Sequence, residues 1–334
     1  MRPIIGLALA AGAFCVSAPA FAATASCDRT CLIGISEQYL AAFVAHDPSK
    51  APLAPNVRYT EMSVPTKVGE GLWKTVIARV PGGSFLVDVP QQTVFFLGAL
   101  SGQRGAPTSG PPPQASTCPA APPRGAANAA PPQTGPQYYL ASLRLKVVNG
   151  KITEIELLNP EQRNADIAEA TAAPQHWWNE PIPPAKRMSR AELIATANTY
   201  FEAIAAGDGS LMHITKDAWR FENGAQVTSL KTAANGPGPG TTMNIPDQVS
   251  AKVFDYIKAV NYRRWWVDEE IGAAMAIAEF DEPANPGNPA ATPPVRCRNA
   301  NISLHSENFK IENGQIVHVQ AMGKFLPYGT PTGW

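Results

Sequence analysis

The chain repeats itself, and this limits its fold more than any other feature. Tyr39-Leu40-Ala41-Ala42-Phe43 stands against Tyr200-Phe201-Glu202-Ala203-Ile204 at an offset of 161 residues. Continued without a gap, that offset sets Asp47 against Asp208, Ser49 against Ser210 and Glu61 against Glu222. Further on, residues 144–152 stand against 308–316 at an offset of 164, and Val87-Asp88 against Val267-Asp268, a weaker match, at 180. Matches in one order at nearly constant spacing indicate a duplicated domain of roughly 130–150 residues, far too long a period for a solenoid.

Each copy follows the same coarse grammar. It opens with an amphipathic helix: Tyr39, Leu40, Phe43 and Val44 form the apolar stripe of the first, Leu193, Ala197, Tyr200, Phe201 and Ile204 that of the second. Ser189, three residues before Glu192, predicts a capping box for the second helix. Asp47-Pro48 and Gly207-Asp208-Gly209 stop the helices. Extended stretches follow at 57–63 and 218–229. Each copy closes in a hairpin at Asn149-Gly150 or Asn313-Gly314, a pair that tolerates the positive φ of a tight turn. Helices first and a run of strands later predicts α+β, not alternating α/β.

The remaining segments have other roles. Arg2, an apolar run from Ile4 to Val16 and Ala20-Phe21-Ala22 form a signal peptide, with cleavage after Ala22. The run is too short to span a bilayer, which needs about 20 residues, and the surroundings of Cys15 and Cys27 fit lipid attachment poorly. The chain is therefore expected to be periplasmic or secreted, without a membrane anchor. Cys27, Cys31, Cys118 and Cys297 remain, and in an oxidising compartment they allow three disulfide pairings. A zinc site lacks a second ligand pair at suitable spacing. Residues 101–136, with 10 prolines and 5 glycines, form a solvated insert in copy one; 283–294, with 5 prolines, sit at the equivalent place in copy two. Gly236-Pro237-Gly238-Pro239-Gly240 is a loop and not a phosphate cradle. The expected boundaries are 27–160, a linker at 161–187, and 188–334. With 27 basic and 27 acidic residues the chain has no net charge, which argues against a nucleic-acid partner.

Arg58-Tyr59-Thr60-Glu61, Gly69-Glu70-Gly71-Leu72-Trp73, Asn313-Gly314-Gln315-Ile316 and the closing Ala321-Met322-Gly323, Leu326-Pro327-Tyr328-Gly329 and Thr332-Gly333-Trp334 resemble secreted SnoaL-like proteins. The resemblance spans nearly the whole mature chain. It implies two cone-shaped nuclear-transport-factor-2-like (cystatin-like) domains, each a curved antiparallel sheet wrapped on helices. They would pack as a pseudo-dimer within the chain, and the chain could itself form a homodimer. It also implies a cofactor-independent lyase, dehydratase or isomerase working by acid–base chemistry on a small apolar or aromatic molecule. The alternatives are a secreted binding protein without turnover and a structural protein with plugged cones, since fold does not settle function.

The candidate proton carriers are Glu61, Glu222 and His305. A carboxylate facing an apolar cone has a raised pKa and can exchange protons near neutrality. The competing reading pairs each Glu with an Arg, such as Arg58 or Arg220. Tyr39 and Tyr200 lie on the inner helical stripes, where a hydroxyl either steadies an oxyanion or is satisfied in the core. Trp73 lines a pocket or plugs the cone. Arg58, Trp73 and Arg220 complete the expected substrate contacts; no metal or cofactor is expected. A two-residue turn at Asn313-Gly314 sets His318 opposite Phe309 and His305 opposite Met322. Both histidines then share a face with Phe309, Ile311 and Ile316, and His305, farther from the turn, is the better pocket candidate. Tyr262-Arg263-Arg264-Trp265-Trp266 reads as a strand of alternating buried Trp and snorkelling Arg. Asp268-Glu269-Glu270 reads as a polar turn. No Gly-x-Ser-x-Gly elbow is present, so nucleophilic serine chemistry has no motif behind it.

Overall fold

A computed structural model describes residues 26–105, 110–119, 134–231, 240–287 and 296–334. The expected signal peptide and the Gly236–Pro239 part of the glycine-proline loop lie outside the described residues. Copy one comprises α1 (Arg29–Val44), β1 (Leu53–Glu61), β2 (Val64–Pro65), β3 (Val76–Arg79), β4 (Ser84–Asp88), β5 (Thr93–Gly102), β6 (Gln137–Val148), β7 (Lys151–Leu158) and β8 (Glu161–Gln162). A short helix, α2 (Ala165–Ala172), follows. Copy two comprises α3 (Arg190–Ala206), β9 (Ile214–Glu222), β10 (Ala225–Gln226), α4 (Ile245–Ser250), β11 (Ala259–Asp268), β12 (Ala273–Glu282), β13 (Asn301–Glu312) and β14 (Gln315–Pro327).

The two sheets have one plan. The first runs β2-β1-β7-β6-β5-β3, and the second β10-β9-β14-β13-β12-β11. In each, the first long strand lies parallel to the last, β1 on β7 and β9 on β14, while the other pairings are antiparallel. Local chemistry repeats as well. Asp47 Oδ1 accepts from the Ser49 amide (3.1 Å) and hydroxyl (2.6 Å); Asp208 Oδ1 accepts from the same groups of Ser210 (2.9 and 2.7 Å). The Ser189–Glu192 capping box forms, and Gly207 ends α3 in the left-handed region. Asn149-Gly150 and Asn313-Gly314 take positive φ at both turn residues, as the right-handed strand twist requires.

Each helix lies in the concave face of its sheet. Leu32, Tyr39, Leu40 and Phe43 of α1 pack on Val94, Phe96, Leu143, Leu145 and Ile155. Leu193, Ala197, Tyr200, Phe201 and Ile204 of α3 pack on Ala274, Ala276, Phe280, Phe309 and Ile311. The convex faces form a third apolar core, in which Phe95, Leu97, Ala99 and Leu140 from one sheet meet Trp266, Met275, Ile277 and Leu304 from the other. The sheets are thus back to back, with the cones opening away from each other.

Reciprocal contacts join the halves. Arg29 Nη1 reaches Asp268 Oδ2 at 2.7 Å, and Arg190 Nη1 reaches Asp88 Oδ2 at 2.7 Å. The same Asp268 oxygen accepts the Val87 amide (2.8 Å), and the Asp88 oxygen accepts that of Val267 (2.9 Å). The Ser142 hydroxyl donates to that of Ser306, its equivalent under the 164 offset, at 2.8 Å. The weak Val-Asp dipeptide match therefore marks a structural role. The reading of residues 268–270 as a plain polar turn needs correction, because Asp268 is buried and takes an arginine and the Val87 and Ile271 amides. Cys27 pairs with Cys31, and Cys118, in the first proline-rich insert, with Cys297, just after the second. Among the described residues no helix is long and apolar enough to cross a membrane.

Candidate functional site

Position 59 of the first cone is a tyrosine, and its partners leave little space. The Tyr59 hydroxyl donates to Glu61 Oε1, and the Leu72 amide donates to both oxygens of Glu61, at 2.9 and 3.1 Å. The short helical turn Gly71–Lys74 carries Leu72 and Trp73 inward. The Trp73 indole N–H donates to the Tyr39 hydroxyl at 3.2 Å, and its ring stands edge-on to Tyr39 and Phe43 at 5.5 and 4.9 Å. Tyr39, Phe43, Tyr59, Glu61 and Trp73 are all 2% exposed or less. Burial, reinforced by the neighbouring Glu61 charge, pushes the Tyr59 hydroxyl far above its ordinary pKa. Three expected site residues, Glu61, Tyr39 and Trp73, are thus brought together as packed interior. Arg58 is a correction: strand alternation turns it outward, where it donates to the Gly333 carbonyl and lies 4.3 Å over the Trp334 ring.

The matching position of the second cone is Arg220, and there the interior is open. A cavity of about 40 Å³ is lined by Tyr200, Arg220, Glu222, Phe254, Tyr256, Phe280, Glu282, Ser303, His305 and Glu307, among others. That is room for two or three waters, at roughly 10–15 Å³ each on this measure. Arg220 Nη1 donates to the Tyr200 hydroxyl at 3.3 Å, and Nη2 lies 3.9 Å from Glu222 Oε2. Its guanidinium stacks 4.7 Å from the Phe254 ring. The Glu222 side chain is 40% exposed and stands at the rim. The expected residues Tyr200, Arg220, Glu222 and His305 therefore share one cavity.

Strand β13 supplies its floor. Ser303, His305 and Glu307 alternate onto the cone face with Phe309 and Ile311. The His305 ring lies flat along the strand because its cross-strand partner is Gly323; a Cβ there would come within 2.3 Å of the imidazole. Ser303 Oγ is 2.7 Å from His305 Nε2, and Nδ1 is 3.2 Å from Glu307 Oε1. Burial alone would lower the imidazole pKa. The hydrogen bond to Glu307 and the charges of Glu307, Glu222 and Glu282 outweigh it and raise that pKa above its ordinary value. Glu282, on β12, is pushed up to about 7, chiefly by burial, although Arg298 and His305 oppose the shift. Two buried polar atoms of the site have no partner among the described residues: Arg220 Nε and Glu307 Oε2.

Several site residues were missed from sequence. Glu282 sits in a stretch, Ala273–Glu282, for which the sequence predicted no element, and Glu307 in the closing hairpin; the available signal was their phase, shared with Phe280 and with His305 and Phe309 respectively. The expected hairpin register is also corrected. A bulge between Lys310 and Ile311 pairs Phe309 with Val319, His305 with Gly323 and Lys310 with His318. His318 therefore leaves the cone face and packs between Trp177 and Trp219, at 4.7 and 5.1 Å. Within β11, Trp265 faces Phe201 and Phe309 in the cone and Trp266 faces Phe95 between the sheets, while Arg264 pairs with Glu156. Among the described residues no group of three or more His, Cys, Asp or Glu is arranged to hold a metal ion.

Residues 186–323 match a family described as "Domain of unknown function (DUF8021)". No curated protein matches the chain. Solved structures similar to it include an NTF-2 like protein of unknown function from Burkholderia xenovorans LB400, at 15% identity, 41% of this chain, 84% of that chain and a TM-score of 0.28. Another is an LEH-like epoxide hydrolase from M. tuberculosis, at 10% identity, 42% of this chain, 86% of that chain and a TM-score of 0.28. A third is a protein of unknown function with cystatin-like fold from Methylobium petroleophilum PM1, at 13% identity, 41% of this chain, 78% of that chain and a TM-score of 0.29. The chain is an α+β protein with two curved, largely antiparallel sheets, each wrapped on its helix.

Proposed function

We propose that the second cone is a cofactor-independent acid–base site, and that the first cone is its structural counterpart. The observation that carries this reading is the company around one cavity: Glu282, whose pKa is pushed up to about 7, and His305, whose pKa is raised above its ordinary value, beside Arg220 and Tyr200. Two titratable groups held in different environments can divide the work, one removing a proton and the other returning it. Arg220 and the Tyr200 hydroxyl are suited to steady the negative charge that develops between those steps. Glu222, at the rim, would orient the incoming molecule.

The reaction class is isomerisation, dehydration or a lyase cleavage. The substrate is a small molecule whose polar end enters the cavity of about 40 Å³ towards Arg220, while its apolar or aromatic body rests at the rim against Phe254 and Tyr256. A wholly apolar ligand would leave the guanidinium and two carboxylates desolvated without compensation. The protein would work outside the cytoplasm, a reading supported by the two disulfides.

The test incubates the mature protein with a panel of aromatic and terpenoid alcohols, ketones and acids and follows product masses. Loss of water identifies dehydration, loss of formaldehyde a lyase, and unchanged mass with altered retention an isomerase. Glu282→Gln and His305→Gln are expected to lower turnover by about 10²–10⁴-fold each, and Glu61→Gln, if folded, to leave it within a few fold. Ligand binding with no turnover anywhere in the panel would favour a carrier and reject the catalytic role.

A further inference from the structure

The hydrogen-bonded row on β13 goes beyond proton transfer to a diffusing substrate. Ser303, His305 and Glu307 occupy alternate positions of one strand face, so the strand itself sets their spacing. Gly323 leaves the space that lays the imidazole along the strand, with Nε2 towards the serine and Nδ1 towards the carboxylate. Phe280 covers the ring from β12, with centroids 4.8 Å apart. A hydroxyl hydrogen-bonded to an imidazole that is in turn oriented by a carboxylate is the arrangement that activates a serine, whatever fold presents it. The cavity holding the row also contains a buried donor in need of an acceptor, Arg220 Nε.

We propose that Ser303 is a nucleophile, activated by His305 and Glu307, that accepts the acyl group of small carboxylic esters. Ser303 Oγ forms a bond to the ester carbonyl carbon while its proton passes to His305 Nε2. The carbonyl oxygen becomes an oxyanion beside the Arg220 guanidinium. Collapse breaks the bond to the alkoxy oxygen, which leaves as the alcohol with the proton from His305. Water then adds to the acyl carbon, gives its proton to His305 and releases the acid as Ser303 regains its hydrogen. The volume of about 40 Å³ limits the acyl group to a few heavy atoms, with the alcohol portion directed to the rim at Glu222 and Phe254. This inference shares the cavity of the acid–base reading but not its chemistry.

The test uses the full mature chain and p-nitrophenyl acetate. The expected result is a burst approaching one nitrophenolate per chain, with acid-quenched protein carrying one acetyl group that peptide mass mapping locates at Ser303. Ser303→Ala abolishes the acetyl group, and His305→Gln slows the burst by at least about 100-fold. Glu307→Gln keeps the acetylation site and moves the pH midpoint of the burst downward, since it removes one of the charges (Glu307, Glu222, Glu282) that oppose the lowering of the His305 pKa by burial. The proposal is overturned if the quenched wild-type protein carries no acetyl group at Ser303, or if Ser303→Ala, melting as the wild type does, gives an undiminished burst. Panel turnover that persists in Ser303→Ala without acetylation would end this proposal and leave the acid–base reading standing.

Discussion

Two cones built on one plan differ in the residues their matched faces carry: Tyr59, Tyr139, Ala141 and Leu143 in the first stand against Arg220, Ser303, His305 and Glu307 in the second. Tyr59 supplies an apolar body and one donor, and Glu61 consumes the donor. Trp73 then closes on Tyr39 and Phe43, and these buried rings pack together inside the sheet. An arginine brings a permanent charge and five N–H groups, more than Tyr200 and Glu222 can satisfy. Its desolvation is tolerable only beside carboxylates and a space for water or ligand. The comparison teaches that one strand plan can carry packing in one half and charge in the other.

The predictions that break or sharpen this contrast begin with the plug. Trp73→Ala should cost about 3–5 kcal/mol in denaturant unfolding, as for a large buried aromatic, whereas Phe254→Ala, half-buried at the second cavity, should cost about 1–2 kcal/mol. Equal costs would mean the cones are equally filled. The reciprocal ion pairs come next. Asp88→Asn and Asp268→Asn should each cost about 2–3 kcal/mol, because each disturbs an arginine and a buried amide across the interface, and the two losses should match. A loss confined to one of them would show that the halves are not held symmetrically. The smallest effect concerns Glu282. Its folded pKa, about 7, exceeds its ordinary value of 4.5, so the stability its protonated form contributes is fully present below about 4.5 and lost as pH rises through 7. Glu282→Gln cannot ionise and should melt about 2–4 °C above the wild type at pH 8, with the gap closing by pH 4. A constant gap across that range would place the carboxyl in water.

Much of this architecture was legible before any coordinates. The 161 offset carried the helices, the Asp-x-Ser caps and the matched tyrosines, because each is a local device whose chemistry survives duplication. The Asn-Gly turns were legible for the same reason. What failed was phase. The bulge at Lys310/Ile311 adds one residue to one strand, and one residue moves His318 from the cone to the Trp177–Trp219 cluster. Arg58 was assigned to the cone beside Glu61, yet neighbours in a strand point to opposite faces. Glu282 and Glu307 went unnoticed because the sequence predicted no element around the first and only a hairpin around the second, and burial is what gives them their chemistry. The Asp88–Arg190 and Asp268–Arg29 pairs depend on how the sheets stack, which no spacing within one copy encodes.

The decisive measurement is a crystal structure of the mature protein soaked with small aromatic carboxylates and esters. The account predicts ligand density in the second cone, with an oxygen within hydrogen-bond distance of Arg220 Nε, and an unmoved Trp73 in the first. Density in the first cone with Trp73 displaced, and none beside Arg220, would contradict it.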